Sequence, residues 1–532
     1  MKVLIPTAGV GSRLGNLTDN FNKAMIPLGK RPVISHIIDS YPTDTEFVIA
    51  LGYHGSYIEQ YLDLAYPKMT KRYVSIDRYR GPGSGLGYTL KKCLEYIDDE
   101  FVFHANDSIV TDRNLRFPMK SDTMLLSPGS ADPKTYRTVS YNKSDGMVTK
   151  IHDKTDRRLK QVNNYIGVAF IKDFQRFAHY LGQMSVEIGE TDYFMRYVGE
   201  DISTYIVDQW HDVGTLEQLR EAERHLSDFD NLMKPGEAIY FNGNRVLKFN
   251  VDKEFIRKRE KRANLLKGLV PEITNSLENF YAYNYVPGVL LSEEISLERI
   301  FKELLSWLQI NLWNPKRLST KSESKFQDSC FSFYYDKTAD RINEFFQQYN
   351  IRDQEETING VTIPSLASML DRLDWSQIKS GVPVQFHGDL HFENILKSGS
   401  RFTLLDWRQD FAGSLTVGDI YYDLAKLLHG LIVNHAIIRG SLYTVEVNQS
   451  IVHFDFHRRN TLVNCEQILR DFVDISGYSW ERVNQITALV FLNIAPLHHH
   501  PYSHLLYYLG KSMLFSWLGE ENPKPSNGNN EA

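Results

Sequence analysis

Short unbroken apolar runs alternate with helically spaced ones through the first part of the chain. MKVLIP ends at a glycine turn, as a buried parallel strand does. PVISHIIDSY has helical spacing, and TEFVIALGY reads as the next strand. RYVSIDRY, EFVFHAND and DTMLLSPG follow as strands, with a helical GLGYTLKKCLEYI between the first two. NNYIGVAFIK adds another strand, and the amphipathic TLEQLREAERHL is a helix ending near residue 226. The alternation predicts a mostly parallel α/β sheet.

SDFDNLMKPGEA breaks this rhythm at Pro235 and Gly236. We therefore expect a first domain over 1–228, a linker over 229–236 and a second domain over 237–520. The tail 521–532, ENPKPSNGNNEA, reads as disordered. In the second domain, AIYFNGNRVLKFN predicts a hairpin around Asn242-Gly243. KEFIRKREKRANLLKGL is helical, FYAYNYVPG is a strand with a turn, and 295–380 is mostly helical. VPVQFHGDLHFENIL and RFTLLDW read as strands flanking a polar loop, and helices dominate again to about residue 519. No internal repeat is visible.

Composition narrows the classes. A length of 532 residues exceeds one hydrophobic core. A net charge of −6 does not point to nucleic acid or an anionic membrane. No run of about 18 uncharged apolar residues suggests a membrane span, and the N-terminus turns to glycine too early for a signal peptide. Cys93, Cys330 and Cys465 lie far apart, without CxxC spacing. These features lead us to expect a reduced, cytoplasmic protein. LHHHPYSH (497–504) is not a metal cluster by its spacing, because neither a helix nor a strand aims consecutive histidines at one point.

The first candidate chemistry lies in AGVGSRLGNLTDNFNKAMIPL, residues 8–28. As a GxGxxG dinucleotide fingerprint it fails: Gly9 and Gly11 fit, but the third position is Leu14, and no strand-end acid follows at the required distance. As a P-loop it fails on the spacing from Gly15 to Lys23. A glycine loop after a strand can instead wrap a triphosphate with backbone N–H groups. Arg13 adds a planar fork and Lys23 a point charge, the equipment for chemistry at an α-phosphate.

This stretch resembles the signature of the sugar-phosphate nucleotidyltransferases, the NDP-sugar pyrophosphorylase family. Matching segments follow in order over residues 1–226. The resemblance assigns Ala8, Gly9, Gly11, Ser12, Gly85 and Leu86 to nucleotide binding, and Arg13 and Lys23 to catalysis. Asp107 in FVFHANDSIV and Asp212 in DQWHDVGTLEQL would hold Mg²⁺, and Lys154 in VTKIHDKTD would contact the acceptor phosphate. Two positions depart from the pattern, Asn106 for a usual glycine and Thr155 for a usual proline; neither removes a charge. Singly, Asp107 or Asp212 reads as a cap and Lys154 as a surface lysine. Their order along the chain makes the case.

The second candidate is FHGDLHFENIL followed by FTLLDW. Asn394 lies five residues after Asp389, and Asp406 twelve beyond that. Kinases use such an Asp–Asn–Asp arrangement to orient a hydroxyl and hold Mg²⁺ on ATP. The form resembles the aminoglycoside phosphotransferase and choline kinase family, over about 237–435. That resemblance assigns Asp389 to catalysis, Asn394 and Asp406 to metal, and Lys248 with its ion-pair partner Glu260 to the nucleotide. Asp419 and Asp423 in GDIYYDLAKLLHGL would hold the catalytic loop. His391 is expected only to pack within the loop.

Together the resemblances imply a Rossmann-like, GT-A-like mixed sheet fused to a bilobal kinase-like α+β domain. They imply a bifunctional enzyme using ATP, an NTP (CTP, UTP or GTP) and a small hydroxyl-bearing substrate, with Mg²⁺ as cofactor. The C-terminal domain would phosphorylate a sugar or polyol, and the N-terminal domain would turn that phosphate into an NDP-activated precursor for surface polysaccharide. A choline or ethanolamine kinase joined to a phosphocholine cytidylyltransferase is the alternative for the acceptor. One domain serving only as a regulatory module is another. A protein kinase with a docking domain is disfavoured, since no activation segment follows LDW. A homo-oligomer is left open.

Overall fold

The computed structural model describes residues 1–518 except 130, 158, 160, 227–235 and 295. Most of the expected linker, and the expected disordered tail, lie outside the described residues. The chain forms two compact units, Met1–Ile256 with Thr274–Tyr285, and Arg257–Ile273 with Val286–Ala532.

The first unit is built on β1 (Lys2–Pro6), α1 (Val33–Ile38), β2 (Glu46–Leu51), α2 (Gly55–Ala65), β3 (Lys71–Ser75), α3 (Leu86–Cys93), β4 (Phe101–His104), β5 (Ser108–Thr111), β6 (Asp122–Leu126), β7 (Thr138–Tyr141), β8 (Val148–His152), β9 (Val162–Ile171), α4 (Phe174–Gln183), α5 (Glu190–Met195), β10 (Ile202–Ile206), β11 (Gln209–Asp212) and α6 (Leu216–Leu226). A nine-stranded sheet runs β8-β7-β9-β4-β1-β2-β3, with β6 joining β9 and β10. β1 is parallel to β2 and β4, β2 to β3, and β6 to β10. β9 is antiparallel to β4, β6 and β7, so the sheet is mixed.

Why β1, β2 and β4 read as continuous apolar runs is now clear. Val3, Ile5, Phe47, Ile49 and Val102 enter one core; Leu4, Val48, Ala50, Phe101 and Phe103 enter another. Successive side chains point to opposite faces, and a sheet covered on both faces has no polar side to alternate with.

The first unit extends past the expected boundary at 228. The hairpin β12 (Glu237–Asn242) and β13 (Arg245–Asn250) and the strands β14 (Ile273–Ser276) and β15 (Phe280–Asn284) form a four-stranded sheet. Tyr240, Leu247, Phe249 and Phe280 join the core that holds Val3 and Ile5. Tyr240 Oη donates to Met25 O at 2.6 Å, Asn242 Nδ2 to Ala65 O at 2.8 Å, and Arg245 to Leu64 O at 2.6 Å. Burying these aromatic groups groups the strands with the sheet that precedes them, which a boundary read from Pro235 and Gly236 does not reveal. The predicted hairpin turn is present, with Asn242 opposite Arg245 and Gly243 in the left-handed region.

Helix α7 (Lys253–Leu265) leads into the second unit, which is mainly helical: α8 (Leu297–Asn311), α9 (Thr320–Phe331), α10 (Lys337–Tyr349), the hairpin β16 (Ile395–Ser398) and β17 (Arg401–Leu404), α11 (Ile420–Ile432), α12 (Asn460–Ile475), α13 (Trp480–Ile494) and α14 (Tyr502–Ser516). Ser332–Asp336, between α9 and α10, is a π-helical turn. α11 is buried on nearly every side, which marks it as the core helix. Hairpins at Glu356–Ile363 and Tyr443–Phe456 interrupt regions expected to be helical. YTVEVN and IVHFDF carry the β-branched alternation that identifies the second.

Candidate functional sites

In the first unit, the loop after β1 is shaped around Lys23. Gly11 has φ 73°, and a Cβ added there would come within 3.2 Å of both Lys23 Cβ and Thr18 Cγ2. Glycine thus supplies the left-handed backbone and the room for the lysine stem. Fully buried Asn22 fixes the residue before it: its Nδ2 donates to Thr7 O at 2.8 Å and Tyr53 O at 2.6 Å, and its Oδ1 accepts from Ala24 N at 2.8 Å. Ala8 is buried under Gly52, whereas Gly9, Ser12 and Arg13 are exposed.

β5 and β11 pair antiparallel with Asp212 opposite Ser108, and Val213 N–H donates to Asp107 O at 2.9 Å. This register brings Asp107 and Asp212 together. Lys23 Nζ sits 2.6 Å from Asp107 Oδ2, and Arg13 lies 3.7 Å from the same oxygen. Burial disfavours charge on Asp107, but Lys23 and then Arg13 outweigh it and hold its carboxyl below the ordinary value. Asp212 moves the other way, raised by burial and then by the Asp107 charge. Gly214 N and Gln218 Nε2 donate to Asp212 at 2.7 and 3.0 Å. Two carboxylates that repel each other, beside two cations, suit a hard divalent ion that also takes phosphate oxygens.

Other residues of the first motif set fall differently. Lys154 is exposed, two residues beyond β8. Gly85 is in tight backbone packing: a Cβ there would lie 2.4 Å from Val186 O and Glu187 Cα. Leu86 packs against Gly189 of the same segment. The sequence reading missed Asn22, Gln218 and Tyr136, whose hydroxyl helps hold Asp212 ionised. It also missed Glu190, buried beside Tyr165 and Arg137, where burial pushes the carboxyl up to about 7.

In the second unit, Asp389 lies in the loop before β16. Asn394 Nδ2 donates to Asp389 O at 2.9 Å and to its Oδ2 at 3.2 Å. Leu405 N–H donates to Asn394 O at 2.7 Å, which sets Asp406 at the strand end beside Asn394. Asp406 Oδ1 lies 2.8 Å from the Arg259 guanidinium on α7, and its backbone is left-handed at φ 54°. Carboxylate and amide oxygens at these two positions suit a divalent cation carrying phosphate.

The loop is held from beneath. Asp423, fully buried on α11, accepts from His387 N at 2.9 Å, Gly388 N at 2.7 Å and Trp313 Nε1 at 3.1 Å. Asp419 accepts from Val382 N at 2.8 Å and Tyr334 Oη at 2.9 Å, and burial pushes its carboxyl up to about 6. Fully buried Arg262 donates to the carbonyls of Phe386, His387, Arg408 and Leu415.

Asp389 has cations of its own. Lys426 Nζ is 2.9 Å from Oδ1, and His391 Nε2 is 3.7 Å from Oδ2. Burial opposes its charge, yet Lys426 and then His391 hold the carboxyl well below the usual range. His391 Nδ1 meets Glu393 at 3.0 Å. Burial lowers the imidazole, but Asp389 and Glu393 overcome that and raise it to about 9. His391 is therefore an ion-pair partner, more than the packing residue expected. Lys426 follows Asp423 by three residues, a spacing that puts both on one helix face and was legible in the sequence.

Lys248 lies on β13 opposite Ile239 and Tyr281. Glu260 is half-buried on α7. No group of three or more His, Cys, Asp or Glu side chains among the described residues is arranged to hold a metal, the histidines of 498–504 included.

Two parts of the chain are similar to known proteins. Residues 335–441 match the Phosphotransferase enzyme family (APH). The chain is 24% identical over 244 residues to UTP–glucose-1-phosphate uridylyltransferase AglF of Haloferax volcanii, covering 43% of this chain and 97% of that protein. It is 27% identical over 131 residues to the glucose-1-phosphate cytidylyltransferase of Salmonella typhimurium, covering 20% of this chain and 51% of that protein. A crystal structure of apo UDP-glucose pyrophosphorylase aligns over 42% of this chain and 97% of its own at 16% identity, with a TM-score of 0.37. The N-terminal region thus matches sugar-phosphate nucleotidyltransferases and the C-terminal region the APH phosphotransferases, both of them enzyme families.

Proposed function

We propose that the chain is a bifunctional transferase whose two reactions run in sequence. In the C-terminal part, the hydroxyl oxygen of a small sugar or polyol attacks the γ-phosphorus of ATP. The bond to the bridging oxygen breaks, ADP leaves, and Asp389 orients the hydroxyl and receives its proton. Asn394 and Asp406 would hold Mg²⁺, and Glu260 would serve the nucleotide. In the N-terminal part, the new phosphate attacks the α-phosphorus of an NTP. The α–β bridging bond breaks and pyrophosphate leaves, giving an NDP-activated product.

Arg13 and Lys23 would neutralise the triphosphate within the loop of Ala8, Gly9, Gly11 and Ser12, and Asp107 and Asp212 would share Mg²⁺. Gly85 and Leu86 are the base-side candidates, and Lys154 the contact to the acceptor phosphate. The similarity to enzymes named for glucose 1-phosphate supports a sugar phosphate as the attacking group. We assign the product to surface polysaccharide assembly and the protein to the cytoplasm.

The observation that carries this reading is that each half keeps a charged cluster of its own: Lys23, Asp107 and Asp212 in one, Asp389, Asn394 and Asp406 in the other. A kinase makes the phosphate monoester that a nucleotidyltransferase consumes. The test is to incubate the protein with Mg²⁺, ATP and each of CTP, UTP and GTP with an acceptor panel, and seek the NDP adduct by mass spectrometry. Phosphorylated acceptor without adduct from any NTP would overturn the sequential reading.

A further inference from the structure

Cations outnumber acids around Asp389. Lys426 Nζ is 2.9 Å from its carboxylate. Arg408 packs against the residues just before Asp389: a Cβ on Gly388 would lie 2.6 Å from Arg408 Cβ, and Arg408 N–H donates to His387 O at 3.0 Å. The Arg408 guanidinium stands 4.9 Å from the centre of the Phe333 ring, and Lys337 Nζ stands 4.6 Å from that same centre. Tyr422, one turn before Lys426 on α11, meets Phe333 edge-on at 4.8 Å. Lys337 and Arg408 thus share the Phe333 ring, and Lys426 lies one turn beyond Tyr422, which meets that same ring.

The nearby acids are committed elsewhere. Asp406 pairs with Arg259 and Asp410 with Lys258. Arg341, one turn along α10, pairs with Glu344. Asp336 and Asp340 flank Lys337 in sequence but are exposed and outside ion-pair distance of it. Among the described residues no carboxylate lies within ion-pair distance of Lys337 or Arg408. Lys337 also begins α10 directly after the π-helical turn Ser332–Asp336, which carries Phe333. Such turns insert an extra residue at a cost to the helix and are frequent at functional sites. Burial, then repulsion from Arg408 and Lys426, drives the Lys337 ammonium well below its ordinary pKa, so an anion placed there would relieve the crowding.

From this cluster we propose that the kinase acceptor carries a negative group, a carboxylate or a phosphate, which Lys337 and Arg408 receive while its hydroxyl faces Asp389. This rests on the C-terminal part being an ATP-dependent small-molecule kinase. It also weighs against a cationic acceptor such as choline, which an aromatic face without surrounding ammonium groups would hold better.

The full-length protein is assayed with Mg²⁺ and ATP against anionic acceptors (glycerate, gluconate, glycerol phosphate), neutral ones (glycerol, ribitol, glucose) and cationic ones (choline, ethanolamine). Anionic acceptors should give the highest kcat/KM, glycerate and gluconate pointing to a carboxylate and glycerol phosphate to a phosphate. Lys337→Gln should raise KM for the favoured acceptor about 10- to 100-fold, the effect of losing one charged hydrogen bond. KM for ATP should stay unchanged, and Lys337→Arg should recover most of the loss. Preference for neutral or cationic acceptors overturns the inference alone, as does a Lys337→Gln effect on KM for ATP, which would give the cluster to the nucleotide phosphates. Phosphate transfer to none of the panel overturns the kinase reading and this inference with it.

Discussion

Lys426 Nζ lies 2.9 Å from Asp389 Oδ1, with both groups largely out of solvent. Helix α11 supplies the lysine and the loop before β16 supplies the aspartate, so the pair joins the core helix to the residue proposed to face the acceptor. Removing the cation should leave a buried carboxylate without its main counter-charge. Lys426→Met is therefore expected to raise the Asp389 pKa and lower kinase kcat/KM by about 10–100-fold. The acid limb of the pH–rate profile should move to higher pH; an unmoved limb would deny the pair this role.

Asp389→Asn separates the two activities. It keeps the shape of the loop and removes the group that takes the hydroxyl proton. Phosphoryl transfer should fall by about 10²–10⁴-fold, the usual loss for a general base. Pyrophosphate release from a supplied phosphorylated acceptor and NTP should be unchanged. Equal loss of both would argue against two independent sites.

Lys23→Met is the reciprocal test. Lys23 Nζ is 2.6 Å from Asp107 and does more than Arg13 to hold that carboxyl ionised. Without it, exposed Arg13 is the remaining cation paired with Asp107 among the described residues. Nucleotidyl transfer should drop by about 10²-fold or more, as for loss of a charge-stabilising group. Kinase turnover should remain, measured as ADP release with the favoured acceptor.

Asp423→Ala should act through stability. It would strip the His387 and Gly388 N–H groups and the Trp313 indole of their shared acceptor. Buried donors left unpaired cost about 1–3 kcal/mol each, so a loss of at least about 3 kcal/mol is expected in denaturant unfolding. An unchanged midpoint would mean that Asp423 does not hold the loop.

His391 predicts a pH dependence of stability. Its imidazolium is held by Asp389 and Glu393, raising its pKa in the folded chain from 6.5 to about 9. The folded form therefore binds the proton more tightly than the unfolded form. The stabilisation is fully present below about 6.5 and is lost as pH rises through about 9. His391→Gln should flatten that part of the stability–pH curve; a curve with the same slope in the variant would refute the assignment.

Much of the local geometry of both candidate clusters was legible in the sequence because their charged residues stand in local runs. The turn after β1, with Gly11 and Lys23, and the Asp389–Asn394–Asp406 spacing are set by neighbours along the chain. So are the apolar runs of β1, β2 and β4, since burial on both faces leaves no other pattern. What could not be read was pairing across distance. The β5–β11 register that sets Asp107 beside Asp212, and the Arg259 contact to Asp406, depend on how separate elements pack. The assignment of Glu237–Asn250 to the first unit was hidden likewise, because it rests on aromatic side chains entering a core built more than two hundred residues earlier. The sequence determined which charges the chain carries and in what order. The tertiary structure alone decided which charges face each other, because ion pairing and burial depend on distance in space and no spacing along the chain encodes that.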